Sequence, residues 1–187
     1  MAREAVGALL PSGGRLLFTS GATEALNIAI QGAPKGDIVT IATEHAAVLD
    51  TVEALARAGR TVTVLPVGAD GVVDLEAAAQ AIRPGVALVA VMLVNNEIGV
   101  IQPVAPLAQL AHQAGALLLC DAAQGYGRVP IPDTCDMVAI SAHKIHGPKG
   151  VGALWLRNDI NPGPLLHGGG QEGGLRSGTL SPALCAG

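Results

Sequence analysis

Aromatic side chains are almost missing from this sequence: its 187 residues include one Phe, one Tyr and one Trp. So little flat surface excludes base stacking as a main mode of binding. Charge is sparse too, at 14% of residues, with 11 basic against 15 acidic side chains and a net charge of −4. No basic stripe emerges, so nucleic acid is not an expected partner. The longest apolar run, around Ala87 to Val94, falls far short of the ~20 residues that cross a membrane. The opening Met1-Ala2-Arg3-Glu4 lacks the apolar stretch of a secretory signal. Cysteines number three, an odd count with no CxxC spacing. That pattern implies reduced thiols and a soluble, cytoplasmic setting, not a disulfide framework.

What is present is aliphatic. Half the residues are hydrophobic, mostly Ala, Val, Leu and Ile, which suits closely packed strands and helices in one globular domain. Apolar runs read as strands at Arg15–Thr19, Asp37–Ala42, Thr61–Pro66, Ala87–Val94, Ala116–Ala122, Asp136–Ser141 and Gly150–Leu156. Between them, helical spacing runs from Ala22 to about Gln31, Ala46 to Gly59 and Pro103 to Gly115. A shorter helix capped by Asp74 follows a turn at Asp70-Gly71. This alternation predicts an α/β fold: a mostly parallel sheet with helices on both faces. Ligands of such sheets bind at the carboxyl ends of strands. The first and last segments, Arg3–Leu10 and Ser181–Leu184, read as unfinished helices, and the chain reads as part of a longer protein.

The chemistry-bearing residues cluster at strand ends. Of three lysines, Lys35 and Lys149 read as turns, whereas Lys144 follows the apolar strand ending at Ser141. Partial desolvation there would favour the neutral, nucleophilic amine, unless the side chain merely snorkels to the rim. Asp121 closes another apolar strand and needs a cation or hydrogen bonds, or else caps the next turn. Gln124 follows as a ligand or a surface amide. Ser20-Gly21-Ala22-Thr23-Glu24 joins a strand to a helix, as an anion cradle or a plain cap. Ser141 and His143 lie close enough to Lys144 to complete such a cradle. His45 either lies flat against a ring or caps a helix. Asn95-Asn96-Glu97 follows the most buried strand, where two amides and a carboxylate must find partners. His112 and His146 read as surface residues, and no three ligands stand at metal-site spacing. The glycine-rich segment from His167 to Thr179 reads as a loop at an anion or a subunit boundary. Pyridoxal phosphate (PLP) demands this set: a lysine, an acid for the pyridine nitrogen, a phosphate cradle and a flat neighbour.

Six blocks carry a resemblance: FTSGATEALN (18–27), TEHAAVLD (43–50), VNNEIGVIQPV (94–104), DAAQGYGRVPI (121–131), SAHKIHGPKGVGAL (141–154) and HGGGQEGGLRSGTL (167–180). In this order they resemble the cysteine desulfurases of the class V aminotransferase group, PLP enzymes of fold type I. The resemblance implies the large PLP-binding domain over residues 1–187, without the N-terminal segment and the small C-terminal domain. It implies that Lys144 bonds the cofactor and acts as acid and base. Asp121 would hold the pyridine nitrogen, Gln124 the ring hydroxyl and His45 the ring face, with a part in proton transfer. Ala22, Thr23, Ser141 and His143 would hold the phosphate, Asn96 would sit beside the cofactor, and Thr179 would reach the phosphate of a neighbouring subunit in a homodimer.

The implied reaction takes sulfur from L-cysteine, leaving alanine. The sulfur goes to an enzyme cysteine and then to an acceptor or scaffold protein, for iron–sulfur clusters or thiolated cofactors. Cys120, Cys135 and Cys185 do not match the family's sulfur-accepting cysteine, which lies downstream of the last block, so the chain alone is expected to be inactive. Gln171 and Gly173 also stand where the family commonly has His and Arg. The alternatives are a selenocysteine lyase or related class V lyase, and a non-catalytic remnant of the fold.

Overall fold

The computed structural model describes residues 1–187. Its centre is one seven-stranded sheet of β1 (Gly14–Thr19), β2 (Asp37–Ile41), β3 (Val62–Leu65), β4 (Val86–Met92), β5 (Leu117–Asp121), β6 (Met137–Ser141) and β7 (Gly152–Arg157). The spatial order is β1-β7-β6-β5-β4-β2-β3. Strands β3, β2, β4, β5 and β6 pair in parallel, while β7 runs antiparallel to both β6 and β1. The sheet is therefore mostly parallel, as the alternation predicts, with one reversed strand that the alternation does not reveal.

Helices α2 (Ala22–Gln31) and α3 (Ala46–Arg57) cover one face, and α4 (Leu75–Ala81) and α5 (Val104–Gln113) the other. Short helices α1 (Ala2–Gly7) and α6 (Pro182–Ala186) lie at the ends of the chain. The central strands bury both faces, so alternate residues divide between two cores. Val89, Val91, Leu118, Cys120 and Val138 pack with Leu107 and Ala111 of α5. Leu88, Ala90, Leu119, Met137 and Ala139 pack with Leu26, Ile30 and Val52 of α2 and α3.

Local chemistry accounts for most boundaries. Asp74 caps α4 by accepting from the amides of Glu76 and Ala77. Gly59 and Gly115 follow α3 and α5 with φ of 95° and 78°, the left-handed stop that a side chain resists. Pro103 is the N-cap residue of α5, next to its first turn, and Ser181 is the N-cap residue of α6 without a side-chain capping bond.

Edge strand β1 is covered by side chains. Its outward backbone groups at Leu16 and Phe18 bond Arg3 and Glu172, and the Ser20 amide just beyond it bonds Glu24. Bonds of this kind blunt an edge against pairing with another chain.

Candidate active site

Because β7 is reversed, its leading end lies at the same sheet edge as the carboxyl ends of the parallel strands. A cleft of about 410 Å³ opens there. It is lined by Ala22 and Thr23 after β1, His45 after β2, Asn96 after β4, Asp121 and Gln124 at β5, and Ser141, His143 and Lys144 at β6. Nine of the ten site residues expected from the sequence thus meet in one place. The tenth, Thr179, is exposed and lies outside the cleft.

At the β1–α2 turn, Gly21 is the N-cap residue and offers no side chain. The amides of Ala22, Thr23 and Glu24 have no acceptor in the chain, since the first turn of a helix has no preceding carbonyls to bond. Across from them the Ser141 hydroxyl and His143 Nδ1 stand 3.0 Å apart. The helix end, its dipole and these side chains form a donor-rich wall suited to an anion.

Asp121 is 6% exposed. Its Oδ1 accepts from the Ala123 amide at 2.9 Å, the turn-capping bond, and Oδ2 accepts none. Burial raises its pKa, opposed by the Ala123 bond and by His45 and Lys144 nearby. A buried carboxylate with one free oxygen fits a cationic nitrogen.

His45 caps α3: its Nδ1 accepts from the Ala47 amide at 3.0 Å while the ring lines the cleft. The capping reading is thus met, and the capping bond leaves the proton of the neutral ring on Nε2. Lys144 lies in a 3-10 turn, Ala142–Ile145, half-buried, and its ε-amine makes no hydrogen bond or ion pair. The turn is held from outside by Arg128, whose Nη2 donates to the Lys144 carbonyl at 2.7 Å and whose Nη1 reaches the Gln124 carbonyl at 3.3 Å. These donors, the free amine and the free carboxylate oxygen fit a phosphorylated pyridine aldehyde.

Several residues have partners or places that the sequence does not specify. Lys149 is in a turn, as expected, yet it lines the cleft. His112 is a surface residue whose Nε2 also meets Asp136, wholly buried and bonded to Arg157, at 2.9 Å. Asn95 is buried, with Nδ2 on the Thr43 carbonyl and Oδ1 accepting from Glu97 and Ile98.

Glu44 is the least anticipated. It is buried, Oε1 accepts from the Met92 amide at 2.6 Å, and Oε2 has no partner. Strand β2 ends before it can pair with Met92, so the carboxyl continues the ladder in its place. Burial first, then the nearby Asp121, push its pKa well up, against the Met92 bond. The folded chain therefore holds a proton that the unfolded chain loses above the ordinary carboxylate range, and stability falls as pH rises. Glu44→Gln is expected to keep the Met92 bond and flatten that fall. Urea midpoints measured from pH ~5 to ~8 would refute this if wild type and variant had parallel slopes.

The aminotransferase class-V family matches residues 1–178. The chain is 46% identical over 183 residues to a mitochondrial cysteine desulfurase of Candida maltosa, covering 92% of this chain and 38% of that protein. It is 44% identical to the cysteine desulfurase IscS of Rickettsia africae, covering 92% of this chain and 45% of that one. Among solved structures, SspA in complex with cysteine aligns with a TM-score of 0.91 at 38% identity, over 98% of this chain and 56% of that one. DndA from Streptomyces lividans aligns with a TM-score of 0.90 at 44% identity, over the same shares. The chain thus spans less than half the length of these curated relatives. With the match running through every strand and every wall of the cleft, the chain belongs to the class-V aminotransferase family.

Proposed function

We propose that this chain is the PLP-holding part of a cysteine desulfurase. The observation that carries the reading is the meeting of a free lysine amine, a buried carboxylate with an open oxygen, and a wall of unbonded amides in one cleft. When bound, PLP supplies an electron sink for bonds at a substrate's α-carbon. The ε-amine of Lys144 bonds the cofactor and moves protons at the substrate. Asp121 Oδ2 would hold the pyridine nitrogen and Gln124 the ring hydroxyl, with Asn96 beside the cofactor. His45 lies against the ring and presents its Nε2–H. The amides of Ala22 and Thr23, the Thr23 and Ser141 hydroxyls and His143 bind the phosphate.

L-cysteine as substrate is supported by the names of the relatives and by the cysteine in the SspA structure. None of this chain's cysteines lines the cleft: Cys120 and Cys135 are buried in the core and Cys185 lies on α6. The thiol that takes the sulfur therefore comes from outside these residues, and the sulfur passes to an acceptor or scaffold protein serving iron–sulfur assembly. Thr179, exposed beyond the cleft, serves a second subunit's phosphate site in a homodimer. Free thiols fit a cytoplasmic setting, and no helix is long and apolar enough to cross a membrane.

The test is to add PLP to the purified chain, record the visible spectrum, reduce with borohydride and map the adduct. A visible band and a single label on Lys144 are expected. A folded chain with neither would overturn the reading.

A further inference from the structure

Glu24 stands at the third position of α2, one residue past the amides that would hold a phosphate. A bare carboxylate there would repel an anion. Its Oε2 accepts from the Ser20 amide at 2.6 Å, and Arg176 binds it through two bonds, Nε to Oε1 at 2.7 Å and Nη2 to Oε2 at 3.2 Å. The two side chains are only 12% and 15% exposed, and they lie 152 residues apart in sequence. Arg176 also donates to the Gly178 carbonyl at 3.3 Å, next to Thr179, and Gln171 accepts from the Gly178 amide at 2.9 Å. A second pair works alongside: Glu172 takes the Phe18 amide at 2.8 Å and Arg3 at 2.9 Å. The glycine-rich segment is thus stitched to the open side of β1 by two glutamates, each balanced by an arginine.

We propose that Glu24 and Arg176 are positioning residues for the anion subsite: the pair clamps the 168–178 segment onto the β1–α2 turn, and Arg176 cancels the carboxylate charge beside the phosphate. This rests on the cofactor reading above. The pair does not touch the phosphate; it sets the turn and removes a repulsion. The two halves of the pair are therefore unequal. Loss of Glu24 removes a clamp, whereas loss of Arg176 removes the clamp and also exposes a negative charge to the anion. Although burial pulls its pKa up, the bonds from Arg176 and Ser20 hold Glu24 below the usual carboxylate range, so the charge is present at neutral pH.

The experiment titrates the full chain and its variants with PLP and with pyridoxal, which lacks the phosphate. Arg176→Ala is expected to weaken PLP binding by about 10- to 100-fold and pyridoxal binding by less than ~2-fold. Glu24→Gln should cost less, the double variant should regain part of the Arg176→Ala loss, and Arg176→Lys should stay near wild type. Equal losses for PLP and pyridoxal, or a double variant as weak as Arg176→Ala, would overturn the proposal. Urea midpoints guard against a variant that merely unfolds. If wild type binds neither compound, the cofactor reading fails separately, and hydrogen exchange decides the clamp. Faster exchange at Ser20 in Arg176→Ala, with β4 to β6 unchanged, upholds it, and unchanged protection at Ser20 refutes it.

Discussion

Lys144→Ala is expected to abolish covalent capture of PLP while leaving the fold intact. The ε-amine has no hydrogen bond or ion pair to lose, and the turn beneath it is held through the backbone by Arg128. Truncating a half-buried side chain of this kind shifts stability by about 0.5 kcal/mol or less. The covalent bond has no substitute. Lys35 lies at the opposite sheet edge, beside Gly85 and Asn161. Lys149 shares the cleft but is exposed, on the turn that leads into β7. Borohydride reduction followed by peptide mass spectrometry reads the result directly. Loss of the label, with an unchanged urea midpoint, is expected. A label that moves to Lys149 in comparable yield would show that the cleft does not single out Lys144.

The second large effect is steric. A methyl group at Gly152 would lie 2.5 Å from the Ile140 carbonyl oxygen and 2.6 Å and 2.7 Å from Gly21 Cα and C. All three neighbours are backbone atoms, so no rotamer change relieves the clash. Gly152 pairs with Thr19 on one side and Ser141 on the other, directly behind the proposed phosphate turn. Gly152→Ala is expected to cost about 3 kcal/mol or more, the upper range for overpacking a closed site. It should also displace Gly21, so whatever protein folds should bind PLP more weakly. Gly7→Ala is the control, because a methyl group there meets nothing within 4 Å. A Gly152→Ala chain within ~0.5 kcal/mol of wild type by urea unfolding would mean that the β7–turn contact is looser than the structure shows.

Individual residues show how far the sequence could be read. Asp121 at the end of an apolar strand, and Lys144 and Thr23 just after such strands, stand out because polar groups there violate the local pattern. Such violations concentrate where a ligand is held. His45 offered two readings, capping and ring contact; the fold shows the capping bond through Nδ1 and sets the same residue on the wall of the cleft. Lys149 was legible as a turn but not as a wall of the cleft, because that depends on the direction of β7. Its direction had one signal: the link from Ser141 to Gly152 is too short for a parallel crossover, which takes a dozen residues or more. Glu44 gave no signal, since a glutamate before a capping histidine looks like an exposed loop residue. Its burial follows from β2 stopping short of its neighbour β4. The pairs Glu24–Arg176 and His112–Asp136 join elements whose proximity no local pattern encodes.

The sequence by itself determined the elements, their order, the class of the sheet and the residue types waiting at strand ends. Periodicity records which face of each segment leaves water, and caps and glycines record where each segment must stop. Tertiary structure decided which of those ends meet. The sheet order places β6 beside β5 and reversed β7 beside both β6 and β1, which brings Lys144, Asp121 and the β1–α2 turn around one cleft. It also buries Glu44 within the electrostatic reach of Asp121 and clamps Arg176 to Glu24. These meetings depend on strand direction and on contacts between residues far apart in the chain, which side-chain periodicity does not carry.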